Sequence, residues 1–130
     1  MPTYRTTRVV GHGAQAMFDL VADVERYPEF VPLCERLKVR RRATNEEGIE
    51  TLVAEMSVGY KQISETFTSR VALDRARNRI LVEYVDGPFR HLENRWTFKP
   101  HERGCEVEFY ITYELKSFAL GLLMGAMCDR

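Results

Sequence analysis

Hydrophobic positions alternate along most of this chain. Leu92, Asn94, Trp96 and Phe98 fall on one side of an extended segment, with His91, Glu93, Arg95 and Thr97 on the other. The next segment repeats the pattern. Cys105, Val107, Phe109, Ile111, Tyr113 and Leu115 alternate with Glu106, Glu108, Tyr110, Thr112 and Glu114. A period of two marks a strand with one buried and one wet face. Two such neighbours predict an antiparallel sheet covered on one side. Shorter runs agree: Leu37 and Val39; Leu52, Ala54, Met56 and Val58; Ile63, Phe67 and Val71; Ile80, Val82 and Tyr84. Turn signals at Asn45 to Gly48, Asp74 to Asn78, Asp86-Gly87-Pro88 and Pro100 to Gly104 separate the runs. With an opening strand near Thr3 to Val10, about seven strands are expected.

A helical period appears at Met17, Phe18, Leu20, Val21 and Val24, with Asp19, Asp23 and Glu25 between them. This helix is expected from near Gly13 to before Pro28, with a short second turn over Tyr27 to Val31. From Ser117, a suitable N-cap, the chain reads as a helix apolar on nearly all sides. It stops at Asp129-Arg130 without a helix stop signal. A curved sheet with one apolar face needs a cover, and this last helix is the natural one. No linker or repeat divides the chain, so residues 1–130 are expected to form a single α+β domain.

Composition narrows the function. Nineteen basic residues balance nineteen acidic ones, which argues against a general nucleic-acid binder and against DNA as a partner. The apolar run from Phe118 to Met127 is too short to span a bilayer. Met1 to Thr7 lacks the apolar stretch of a signal peptide. A cytoplasmic protein is expected, or one peripheral to the inner face of the cell membrane. Cys34, Cys105 and Cys128 are odd in number and widely spaced, which suits neither a disulfide framework nor a metal site. His12, His91 and His101 lie far apart on turns or strand edges, and no metal or nucleophile motif includes them. No catalytic residue and no cofactor are assigned.

Three segments carry a resemblance. Asp23-Val24-Glu25-Arg26-Tyr27-Pro28-Glu29-Phe30-Val31-Pro32-Leu33-Cys34 resembles a signature of the START-like superfamily. Glu65-Thr66-Phe67-Thr68-Ser69-Arg70-Val71 resembles the second signature, and Asp86-Gly87-Pro88-Phe89-Arg90-His91-Leu92, running into Trp96-Thr97-Phe98, the third. Within the superfamily the match is to the coenzyme Q-binding branch, which also holds bacterial ribosome-association toxins. Leu33 stands where many relatives have tryptophan, and the final helix is shorter than the family leads one to expect. The resemblance implies a helix-grip fold: a seven-stranded antiparallel sheet around a long C-terminal helix, with two short helices after the first strand. It implies a hydrophobic tunnel for a lipid, with ubiquinone as ligand rather than redox cofactor, in a carrier that supports respiration. A ribosomal subunit is the alternative partner, and a polyketide cyclase or dehydratase activity the alternative chemistry.

If the apolar faces point inward, the tunnel is lined by Met56, Val58, Ile63, Phe67, Val82, Tyr84, Trp96, Phe98, Phe109 and Ile111. Glu65 and Asn94 share that face, and each must be hydrogen-bonded or wet. Each either holds a ligand oxygen or satisfies groups nearby. Tyr27, Phe30 and Val31 lie in a segment stiffened by Pro28 and Pro32 and form a candidate gate, with transient contact to a membrane surface. Lys38, Arg40, Arg41 and Arg42 form a basic patch for anionic headgroups or ribosomal RNA, or a solvated strand end.

Overall fold

The computed structural model describes residues 2–116 and Gly121. The final helix expected from Ser117 lies outside these residues, Gly121 apart. Seven strands form one sheet: β1 (Thr3–Val10), β2 (Cys34–Thr44), β3 (Glu50–Tyr60), β4 (Ile63–Asp74), β5 (Arg79–Asp86), β6 (Phe89–His101) and β7 (Gly104–Leu115). Their order is β1-β7-β6-β5-β4-β3-β2, and every neighbour is antiparallel. Short turns join β2 through β7, four of them at the punctuation the sequence showed; the turn between β3 and β4, at Lys61 and Gln62, carries no such signal, and Lys61 takes a left-handed φ of 57. At one of them Asn78 adopts φ 53, a left-handed conformation that asparagine tolerates.

β1 and β2 are consecutive in the chain yet occupy opposite edges of the sheet. The segment between them must therefore cross it. It does so as α1 (Ala14–Ala22), a 3₁₀ turn (Val24–Arg26) and α2 (Tyr27–Phe30). α1 lies on β5, β6 and β7, while the 3₁₀ turn and α2 lie on β2. Two details depart from the sequence reading. α1 ends at Ala22, and Asp23, with ψ 65, breaks the helix before Val24. Leu20 is 47% exposed; it points about 200° around the helix from Phe18, at 100° per residue. The buried stripe is Ala14, Phe18 and Val21.

That stripe closes a core with Leu52, Val71, Leu73, Ile80, Phe98, Cys105 and Val107. Phe18 meets Phe98 edge to face at 6.1 Å. Arg75, from the turn after β4, covers the other side of the Phe18 ring at 4.6 Å and pairs with Asp19. Truncating an aromatic ring at such a site costs roughly 3–5 kcal/mol. The opposite face of the sheet is polar. There Tyr110 stacks between the guanidinium groups of Arg5 and Arg95, and Lys99 pairs with Glu108 at 2.9 Å. The expected alternation of one apolar and one charged face is what the strands show. No helix among the described residues is long and apolar enough to cross a membrane.

Candidate ligand-binding face

α1 closes one end of the inner sheet face; the other end is paved with half-buried aromatic rings. Phe89 is the hub there, buried itself and edge-to-face with Phe67 (5.6 Å), Tyr84 (5.6 Å) and Tyr113 (6.4 Å). The turn before it explains why. Gly87 has φ 141, and a Cβ there would lie 2.6 Å from Cβ of Phe67. Glycine lets the β5–β6 turn fold down on β4 and seats Phe89 among the rings. A second group surrounds Trp96, which stacks on Phe98 (6.1 Å, 11° between planes) and meets Phe109 edge to face at 4.7 Å. Tyr4, on edge strand β1, extends this group through Phe109 at 6.1 Å.

Cross-strand register brings most of the predicted lining together. Met56 faces Phe67, Val58 faces Glu65, Tyr60 faces Ile63, Val82 faces Asn94 and Asn94 faces Ile111. Phe98 is a correction. At 1% exposure, under Phe18, it belongs to the closed core and cannot line an open cavity. Val58, 2% exposed, is also enclosed. Phe89, Tyr113 and Tyr4 are additions to the face. Tyr113 shared the inward alternation of β7, whereas Phe89 follows a turn and Tyr4 an indistinct strand pattern.

Polar groups on this face have structural partners in part. Asn94 Nδ2 donates to the Tyr110 carbonyl at 2.9 Å, and its Oδ1 accepts Trp96 Nε1–H at 2.9 Å. The asparagine thus fixes the tryptophan ring, and its amide is engaged at both ends. Tyr84 Oη accepts the Phe89 backbone N–H at 3.2 Å. Burial pushes its phenol up, against that hydrogen bond and with help from Asp86. Glu65 is half-buried beside Val58.

The candidate gate divides. The Tyr27 hydroxyl donates to the Val21 carbonyl, and burial holds its phenol far above the ordinary value. Phe30 packs on Tyr27 at 5.6 Å yet is 48% exposed. Val31 is half-buried, and Leu33 takes a left-handed φ of 66 where the chain turns into β2. A bulky residue there stores roughly 1–3 kcal/mol. The strain is held by the hydrogen bond from Gly59 N–H to the Leu33 carbonyl at 3.0 Å.

The basic patch also divides. A bulge between Val39 and Arg41 makes Arg40 the extra residue and turns Arg42 to the side of Leu52. Arg40 pairs with Glu55 at 2.7 Å, and Arg42 with Glu25 and Glu50. Lys38 and Arg41 remain exposed, with no ion pair among the described residues. Cys34 and Cys105 are buried free thiols whose pKa burial pushes up, the opposite of an activated nucleophile. Among the described residues no cluster of histidine, cysteine or carboxylate groups suits a metal ion.

A family model for polyketide cyclase/dehydrase and lipid transport proteins matches residues 10–130. The chain belongs to that family. Its relatives include the ribosome association toxin RatA of Rickettsia prowazekii, 31% identical over 97% of this chain and 85% of the relative. The coenzyme Q-binding protein COQ10 homolog B of Xenopus laevis is 33% identical over 97% of this chain, which spans 51% of that longer relative. Among solved structures, an 18 kDa protein of Caulobacter crescentus is 33% identical with a TM-score of 0.80, covering all of this chain and 87% of that one. A START superfamily protein of Mycobacterium smegmatis matches in fold with a TM-score of 0.77 at 20% identity, over 98% of this chain and 89% of that one. The family and its START-like fold are those the three sequence segments resemble, and the segments now have physical roles. The first forms the crossing turn into β2, the second lines the inner face from β4, and the third places Gly87 and Phe89.

Proposed function

We propose that this chain binds a hydrophobic ligand against the inner face of its sheet, and that the ligand is a polyisoprenoid quinone of the ubiquinone type. The observation that carries the reading is the aromatic paving of a face that α1 and α2 cover only in part. An isoprenoid tail gains roughly 0.8 kcal/mol per methylene removed from water, and aromatic walls suit both a tail and a planar ring. The coenzyme Q-binding relatives support the choice of ligand. The protein acts as a carrier: Phe30 and Val31 form the lip through which a ligand exchanges with a membrane. The role is binding rather than turnover. The coenzyme Q-binding and RatA relatives bear binding and ribosome-association names, and Asn94, the best-placed polar group, is committed to Trp96. An aromatase/cyclase likeness at 20% identity and a TM-score of 0.76 speaks for the fold alone.

The test is extraction. Protein incubated with ubiquinone-containing vesicles, re-isolated and extracted with organic solvent is expected to yield quinone at near-stoichiometric amounts. Folded protein that returns none overturns the reading.

Ribosome association is the second reading. It is favoured by the RatA relatives and by Lys38 and Arg41, two unneutralised cations on an edge strand. It predicts co-sedimentation with ribosomal subunits at moderate salt, lost in the Lys38→Glu, Arg41→Glu double variant. Equal sedimentation of wild type and variant excludes this patch as the contact.

A further inference from the structure

Ser69 stands on the inner face of β4, between Phe67 and Val71, opposite Ala54 of β3 and Tyr84 of β5. It is 6% exposed, and its Oγ has no hydrogen-bond partner among the described residues. An unpaired buried hydroxyl destabilises a fold, and alanine fills nearly the same space without that cost. The sheet is also irregular here. Thr68 pairs with Asp86 and Ser69 with Tyr84, so Val85 is an extra residue bulged out between them. Bulges re-aim side chains and gather beside binding sites. Beyond this point β5 and β6 part company: their pairing ends at Glu83 and Glu93. Tyr84 Oη accepts from Phe89, which leaves its own proton to give.

Two neutral O–H donors therefore sit on directly opposed residues, beside the rings of Phe67 and Phe89. Neutral donors match a carbonyl or ether oxygen and offer no counter-charge to a carboxylate or phosphate. We propose that Ser69 Oγ donates the hydrogen bond that seats the ligand's polar head, and that this head is an uncharged ring carrying an acceptor oxygen. The proposal rests on the inner-face reading above. It places the head at the β4–β5 bulge and runs the tail toward Trp96 and Phe109.

The experiment uses vesicles holding equal amounts of ubiquinone and squalene, an isoprenoid hydrocarbon without a head. Wild-type protein is expected to load ubiquinone in preference. Ser69→Ala is expected to lower the ubiquinone-to-squalene ratio about fivefold, the worth of one neutral hydrogen bond. Its thermal midpoint without lipid does not fall, because the variant removes an unpaired hydroxyl. Ser69→Thr keeps the hydroxyl and is expected to keep the ratio. Folded Ser69→Ala with an unaltered ratio overturns the anchor and leaves the inner-face reading standing. So does wild-type protein that loads both lipids without preference. Wild-type protein that loads neither overturns both.

Discussion

The Tyr27 hydroxyl ties α2 back to the last turn of α1 through the Val21 carbonyl. Burial raises its phenol above the ordinary 10.0, with lesser contributions from Cys34 and Asp23. The neutral form is thus favoured in the fold. Its contribution is complete below the unfolded value near 10 and is lost as pH rises beyond it. Chemical denaturation is expected to give constant stability from this group through pH 9 and a decline above pH 10. Tyr27→Phe is expected to cost about 1 kcal/mol at neutral pH, from the lost hydrogen bond, and to flatten the alkaline decline. An unaltered decline in the variant assigns it to other groups, Tyr84 among them. At this scale the sequence was informative about direction and silent about partners. Alternation put Asn94, Trp96 and Phe98 on one face, and all three are there. That Asn94 is held by Trp96, and that Phe98 is shut away by Phe18, depends on ring orientation and on where α1 lands. Neither leaves a mark on spacing.

Strands were legible because each has one wet and one dry face, and four turns because glycine, proline and asparagine punctuate them; the Lys61-Gln62 turn between β3 and β4 has none of these. Bulges were not. An extra residue at Arg40, at Val85 or before His91 shifts the alternation by one, and the shifted pattern is itself a valid strand. The result matters for function: one bulge splits the basic patch into paired and unpaired cations, and another sets Ser69 against Tyr84. Helix faces were read with one error, since a run of apolar residues does not say which three define the buried stripe. Leu20 lost to Ala14. The β5–β6 turn gives the prediction proper to elements. Gly87→Ala forces a side chain into φ 141 and against Phe67. It is expected to cost about 1–3 kcal/mol and to displace Phe89, reducing lipid uptake along with stability. A variant with wild-type unfolding midpoint contradicts the packing of this turn on β4.

Placing consecutive strands at opposite edges forces the intervening helices across the inner face, and among the described residues their reach divides that face. α1 fills the end over Phe98, Cys105 and Val107; at the aromatic end Phe67 and Tyr113 are half-buried around the buried Phe89. The family and the seven-stranded sheet were legible, because three separated segments fall in order along one chain and each shapes the sheet or its crossing; the expected final helix lies outside the described residues, Gly121 apart. The division of the inner face into a filled end and a paved end was not, because it follows from the path of α1. The most direct measurement uses the single tryptophan, Trp96, which stands between the two ends of the inner face. Ubiquinone titrated into folded protein is expected to quench its fluorescence saturably, with an end point near one quinone per chain and with reversal when excess empty vesicles withdraw the lipid. Linear, unsaturable quenching equal to that of free tryptophan would contradict a quinone site on the inner face.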